Sequence, residues 1–229
     1  MKLTRDFIYD PSLVLYLPLY KLDGSSFMSK DAYGHLCTVT GAVWTPGGRS
    51  FDGIDDFIDL GDTTTFKWLH GALDTVAFQS TIEAWVKMPA SPGDDVFFLL
   101  GNNGGSSANV GISILVDYRT ATPATGQIRY SINRGVSGES VIAYQSADNV
   151  YPSDGAWHHL VFTYNQVLAS AQLVIYRDGV QVAISSGTTG YTPSTANSTY
   201  ALDIGAEGTG AATWYQYIGE LRIYNRALT

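Results

Sequence analysis

The chain has 229 residues, 45% of them hydrophobic and only 15% charged, a balance that folds rather than staying disordered. Its formal net charge is −8 and its thirteen Lys and Arg are scattered, which excludes the basic footprint that nucleic acid or an anionic membrane requires. The single cysteine, Cys37, excludes an internal disulfide, and no apolar run reaches membrane-spanning length.

In chain order, the N-terminal stretch "MKLTRDFIYDPSLVLYLPLYK" carries Asp6, Asp10 and two prolines within its apolar part, so it is not expected to be a signal peptide. Short apolar runs then recur between clusters of Gly, Pro, Asn, Asp, Ser and Thr. They predict strands near 13–18, 35–40, 49–51, 56–60, 78–88, 96–100, 111–118, 127–133, 140–144, 157–164, 171–177, 180–184, 200–205 and 217–224. A short helical turn is expected around "TTTFKWLHGAL". In "TIEAWVKM", Ile82, Ala84, Val86 and Met88 share one face while Glu83, Trp85 and Lys87 share the other. In "LVIYRDGVQVAI", Asp178-Gly179 sits between two β-rich runs and suits a tight hairpin turn. Apolar faces of this kind need a covering sheet, so the expectation is all-β, two antiparallel sheets packed as a sandwich. Four loops stand out, at 61–77, 101–109, 185–199 and 206–216, where binding residues usually sit.

Six segments, "SFDGIDDFIDLG", "STIEAWVKMP", "DGAWHHLVFTYN", "LVIYRDGVQVA", "LDIGAEG" and "YIGELRIYNRALT", stand in the order expected of laminin G-like domains of the concanavalin A-like lectin and glucanase superfamily. The resemblance spans residues 12–229. It implies a jelly-roll β-sandwich, one domain over 1–229 with an N-terminal extension at 1–11, and a mostly non-catalytic role in binding glycans or proteins, often with calcium (Ca2+). Two segments depart from the family pattern. "DAYGHL" keeps Asp31 and Gly34 but lacks the family's asparagines, and "IGEL" has Gly219 where relatives carry Asp, with Glu220 retained.

Five aspartates crowd into "FDGIDDFIDLGD": Asp52, Asp55, Asp56, Asp59 and Asp62. Asp52-Gly53 reads as a turn, and on the returning strand Asp56 and Ile58 share one face with Phe57 and Asp59 on the other, so all five cannot aim at one ion. Calcium needs several oxygens; the ligand set implied is Asp31, the Gly34 carbonyl and Glu220, with Asp52 or Asp55 as second choice.

Retaining glycoside hydrolysis needs two carboxylates close together. The strand around Glu83 offers only one, and Asp203 and Glu207 are separated by a glycine break, so no enzyme is expected. His158 and His159 point to opposite sides of a strand and cannot chelate one ion. Sugars favour aromatic platforms. Trp85 and Trp157 lie in strands and read as core. Trp214, Tyr215 and Tyr217 beside the glycine-rich loop, with Trp68 and Tyr191, are the candidate platforms, and Asn102 and Asn103 the candidate hydroxyl partners; covering sandwich edges or a subunit interface is the competing use of these aromatics.

Two functional readings follow, one a module binding glycan or a protein surface through sandwich-edge loops. The other is a virion structural protein, a phage capsid decoration or tail-adhesion subunit able to form a homo-oligomer, motivated by the missing signal peptide on a fold normally found outside cells. Either places the protein outside the cell or on a virion surface. A glycoside hydrolase relative ranks third.

Overall fold

The computed structural model describes residues 6–21, 24–61, 63–70, 78–93, 95–106, 109–119, 126–134, 140–147, 150–168, 172–187, 196–211 and 213–228. They form strands β1 (Leu13–Leu17), β2 (Ser26–Met28), β3 (Leu36–Thr40), β4 (Val43–Thr45), β5 (Gly48–Asp52), β6 (Phe57–Asp59), β7 (Gln79–Lys87), β8 (Val96–Gly101) and β9 (Val110–Asp117). Then come β10 (Gln127–Arg134), β11 (Ser140–Ser146), β12 (Trp157–Asn165), β13 (Leu173–Arg177), β14 (Val180–Gln181), β15 (Ile184–Gly187), β16 (Asp203–Ile204) and β17 (Tyr215–Tyr224). Two 3-10 turns, Asp6–Tyr9 and Lys67–His70, are the helical elements among the described residues, and no helix there is long and apolar enough to cross a membrane.

The strands make two antiparallel sheets. The first has eight strands, ordered β14-β13-β12-β7-β17-β5-β4, with β1 beside the C-terminal part of β17. The second has nine, ordered β15-β11-β10-β9-β8-β16-β6-β3-β2. Ile82, Ala84, Val86 and Met88 from the first sheet meet Ile112, Ile114, Val116, Ile128 and Tyr130 from the second in one continuous core. Two-residue alternation on the pleat produces this directly, since every second side chain enters the core and the others remain outside. The Asp178-Gly179 turn has positive φ at both residues, 53° and 76°, the geometry of a two-residue hairpin.

Differences from the predicted strands have local causes. β2 and β4 have three residues each, too few to show a period. The expected strand at 200–205 shrinks to Asp203–Ile204, because Gly205 turns the chain away at φ 85°. The expected strand at 180–184 is two pieces: β14 ends the first sheet and β15 joins the second, so the chain changes layers between them.

Candidate functional site

The outer face of the nine-stranded sheet carries an open groove of about 390 Å³. Its floor includes alternate positions of adjacent strands paired by register: Ser113 with Ser131, Ser131 with Ala143, Leu115 with Arg129, and Arg129 with Gln145. Phe98 and Leu115, also paired, give it an apolar strip. A chain of polar groups crosses the groove: Asn103 Nδ2 donates to Ser113 Oγ at 3.0 Å, and the Ser113 and Ser131 hydroxyls lie 2.7 Å apart. Asn133 donates its amide to the Ser106 carbonyl at 3.2 Å. The buried Oδ1 of Asn133, whose side chain lines the groove, has no hydrogen-bond partner among the described residues.

Arg129 supplies the charge. Its guanidinium meets Asp117 Oδ2 at 3.0 Å, and Arg119 reaches the same oxygen at 3.2 Å. Burial works against ionisation of Asp117, but the Arg119 hydrogen bonds and the charges of Arg129 and Arg119 outweigh it and hold the carboxyl below its ordinary range. Asp95 acts on Arg119 as well, so the two arginines here face two carboxylates, and Arg129 is the one that lines the groove.

The candidate platforms do not converge. Trp214 is fully buried in the core. A binding platform must be reachable, so Trp214 is a packing residue and its reading as a platform is corrected. Asn102 is also enclosed: its Oδ1 accepts the Ile112 amide at 2.8 Å and its carbonyl takes the Ser198 hydroxyl, so it ties loops together. Asn103 lines the groove, with its amide committed to Ser113. Tyr215 stays partly exposed, stacked on Phe97 and paired in register with Asp52. Tyr217 lies on the outer face of the other sheet, between Trp157 and Lys87. Trp68 packs edge-on against Phe78 at the rim of the core, and Tyr191 lies outside the described residues. Trp85 and Trp157 are corrected in the opposite sense. Trp85 is 44% exposed and Trp157 half-buried, because they occupy the outward positions of β7 and β12.

The acidic residues separate into three places. Asp31 spends its carboxylate on the amides of Tyr16, Tyr33 and Gly34 at 2.9–3.1 Å. Glu220 is tied to Arg222 and to the Tyr16 hydroxyl. Both carboxylates of this set are thus already engaged, Asp31 by three backbone amides and Glu220 by Arg222 and Tyr16. Asp52, Asp55 and Asp56 converge: each brings a carboxylate oxygen within 4.8 Å of the others. Asp52 Oδ1 also closes the turn by accepting the Ile54 amide at 2.8 Å. Burial raises the Asp56 pKa, and the negative charges of Asp52 and Asp55 push the same way. Asp203 and Glu207 form the third group, both buried beneath the glycine-rich segment 205–210. Burial, then the charges of Asp59 and Glu207, push the Asp203 carboxyl up to about 8.

The groove residues Ser113, Arg129, Ser131 and Asn133 were not singled out from sequence. Their signal was present, since "VGISILVD" and "QIRYSINR" both alternate and place their polar residues, Arg134 excepted, on one face.

No curated protein sequence matches the chain. Among similar solved structures, Trypanosoma rangeli sialidase in complex with 2,3-difluoro-KDN aligns with TM-score 0.62 at 18% identity, covering 95% of this chain and 31% of that one. This chain therefore spans about a third of the sialidase. The CBM40 of Ruminococcus gnavus IT-sialidase, bound to α2,3-sialyllactose, aligns with TM-score 0.54 at 12% identity, covering 83% of this chain and 93% of that one. The botulinum neurotoxin serotype D/C binding domain gives 0.61 at 12% identity, covering 97% and 50%. At these identities the likeness is one of fold. A family model for laminin G-type domains matches residues 51–229, and by that match the chain belongs to the concanavalin A-like lectin/glucanases superfamily.

Proposed function

We propose that the protein is a non-catalytic glycan-binding module that seats an oligosaccharide in the groove on the nine-stranded sheet. The observation that carries this reading is the line Asn103–Ser113–Ser131 beside Arg129, laid along an apolar strip. Sugars present alternating hydroxyls and C–H faces, and a few fixed polar groups over apolar ground is how such ligands are oriented. The Arg129 guanidinium lining the groove favours sugars bearing a carboxylate, through a charge-assisted pair. The similar CBM40 structure is described as bound to a sialylated sugar, which agrees with that preference. Asp203 and Glu207, both buried, would not reach a glycosidic bond, so no reducing sugar should be released.

A glycan array with the purified chain tests the proposal. Specific hits enriched in acidic sugars are expected. Ser131→Trp should fill the groove and abolish them with the melting temperature unchanged, and Arg129→Ala should weaken acidic hits roughly 10- to 100-fold. A folded Ser131→Trp protein that binds as the wild type does would overturn the groove reading.

Calcium, which the family resemblance implies, would be held at Asp52, Asp55 and Asp56, where three carboxylates already converge. There it would neutralise the mutual repulsion of the three groups. Millimolar calcium is expected to raise the melting temperature over a chelator control, and Asp55→Asn to remove the rise. An identical melting curve in calcium and chelator would count against this site.

A further inference from the structure

The outer face of the eight-stranded sheet holds a second pocket, about 260 Å³, between Tyr20, Trp85, Trp157 and Glu220. We infer that it is a separate binding site for a single neutral pyranose ring, stacked on Trp85 and hydrogen-bonded by Glu220. The site uses no groove residue and stands independently of the groove.

The register creates it. Across β12, β7 and β17, His159, Trp85 and Glu220 are consecutive neighbours on one row. The His159 imidazole stacks on Trp85 with centroids 5.0 Å apart and planes at 25°. That occupies one face of the indole and leaves the other on the side of β17, where Glu220 and the pocket lie. On the adjacent row β17 shifts register between Ile218 and Glu220, and the extra residue is Gly219. A Cβ there would come within 3.1 Å of the Trp157 ring and 3.0 Å of the Gly47 carbonyl. The bulge and its glycine thus let the Trp157 indole lean over the sheet to form a second aromatic wall.

Glu220 is fixed before any ligand arrives. Arg222 holds one of its oxygens and the Tyr16 hydroxyl donates to the other at 3.3 Å, while Arg222 also pairs with Glu83 at 2.9 Å. The guanidinium sits 4.0 Å above the Phe7 ring, which locks it in place. A carboxylate oxygen has two lone pairs, so each still accepts a sugar hydroxyl. The charges on this face decide against a quaternary ammonium, which aromatic pockets also take. Glu83 and Glu220 are matched by Arg222 and Lys87, leaving no net negative charge to draw a cation. A neutral sugar, with a C–H face for the indole and hydroxyls for Glu220, meets both halves of the pocket.

Saturation-transfer NMR and tryptophan fluorescence with methyl β-galactoside, methyl β-glucoside and methyl α-mannoside provide the test. At least one should bind at millimolar affinity. Trp85→Ala, at an exposed position, should lower that affinity ~10-fold or more without changing the melting temperature, and Glu220→Gln should lower it with Trp85 in place. Ser131→Trp, which fills the groove, should leave it unchanged, so that failure here and failure of the groove are told apart. Absence of saturation transfer for all three sugars overturns the inference, as does transfer that persists in Trp85→Ala. Sedimentation velocity supplies one more decisive outcome: a dimer dissolved by Trp85→Ala would assign this face to a second copy of the chain and overturn the sugar site.

Discussion

Asp203→Asn is expected to flatten the pH dependence of stability between pH 6.5 and 8. The folded protein keeps the Asp203 proton up to about pH 8, whereas the ordinary carboxyl value is 3.8. Between these values the folded state binds more protons than the unfolded chain, so stability is fullest at the acid end and falls as pH rises. Burial lowers the buried His70 to about 4 and gives a slope of the opposite sign, from that value up to 6.5. Above 6.5 the His70 slope has ended and the Asp203 slope stands. The wild type should therefore lose about 1.5 kcal/mol between pH 6.5 and 8, roughly 3–6 °C in Tm for a chain of this size. Asparagine keeps an acceptor for the Gly210 and Gly208 amides that bond Asp203 and removes the charge, so the variant should melt above the wild type at pH 8. Thermal melts from pH 5 to 8.5 decide the matter. A variant that melts lower at pH 8 would mean that something stabilises the ionised carboxylate, and the burial argument would be wrong.

Trp214→Ala should cost about 3–5 kcal/mol, the range for deleting a large buried aromatic, a major part of the 5–15 kcal/mol typical of a folded domain. The residue is fully enclosed in the core, and its backbone amide donates to the Gly205 carbonyl at 2.7 Å, anchoring the turn that ends β16. Its indole N–H has no partner among the described residues. Trp214→Phe removes that buried donor while filling most of the volume, so its cost should be much smaller, about 1–2 kcal/mol. Glycan binding by the Phe variant should equal the wild type, because the side chain reaches no surface. Loss of binding at an unchanged melting temperature would restore Trp214 as a platform.

Trp214 and Trp85 also show where reading the chain as a string succeeds and where it stops. Both are tryptophans near candidate sites, and each takes the opposite side in the fold from the one expected of it, Trp214 inward and Trp85 outward. For Trp85 the correct side was legible, since its strand alternates and Trp85 shares parity with Glu83 and Lys87 against Ile82, Ala84 and Val86. For Trp214 no period was available. It precedes β17 by one residue, after a glycine-rich loop whose path depends on Gly205 at φ 85° and on a close approach to Phe51. An aromatic on such a loop turns inward or outward according to what lies beneath it.

The sequence by itself determined the strand pattern, the sandwich and the Asp178-Gly179 hairpin, because these rest on two-residue alternation and on turn residues, both local along the chain; the superfamily was legible through the resemblance of six ordered segments to laminin G-like domains. Tertiary structure alone decided the sites. The groove joins β9 and β10 to residues near 103 and 145, and the aromatic pocket joins residues 20, 85, 157 and 220. Lateral neighbours in a sheet are set by strand order and register, not by separation in sequence. The five aspartates of 52–62 illustrate the same division. Their density is a property of the string, but it was folding that drew Asp52, Asp55 and Asp56 together and turned Asp59 toward Asp203 on another strand.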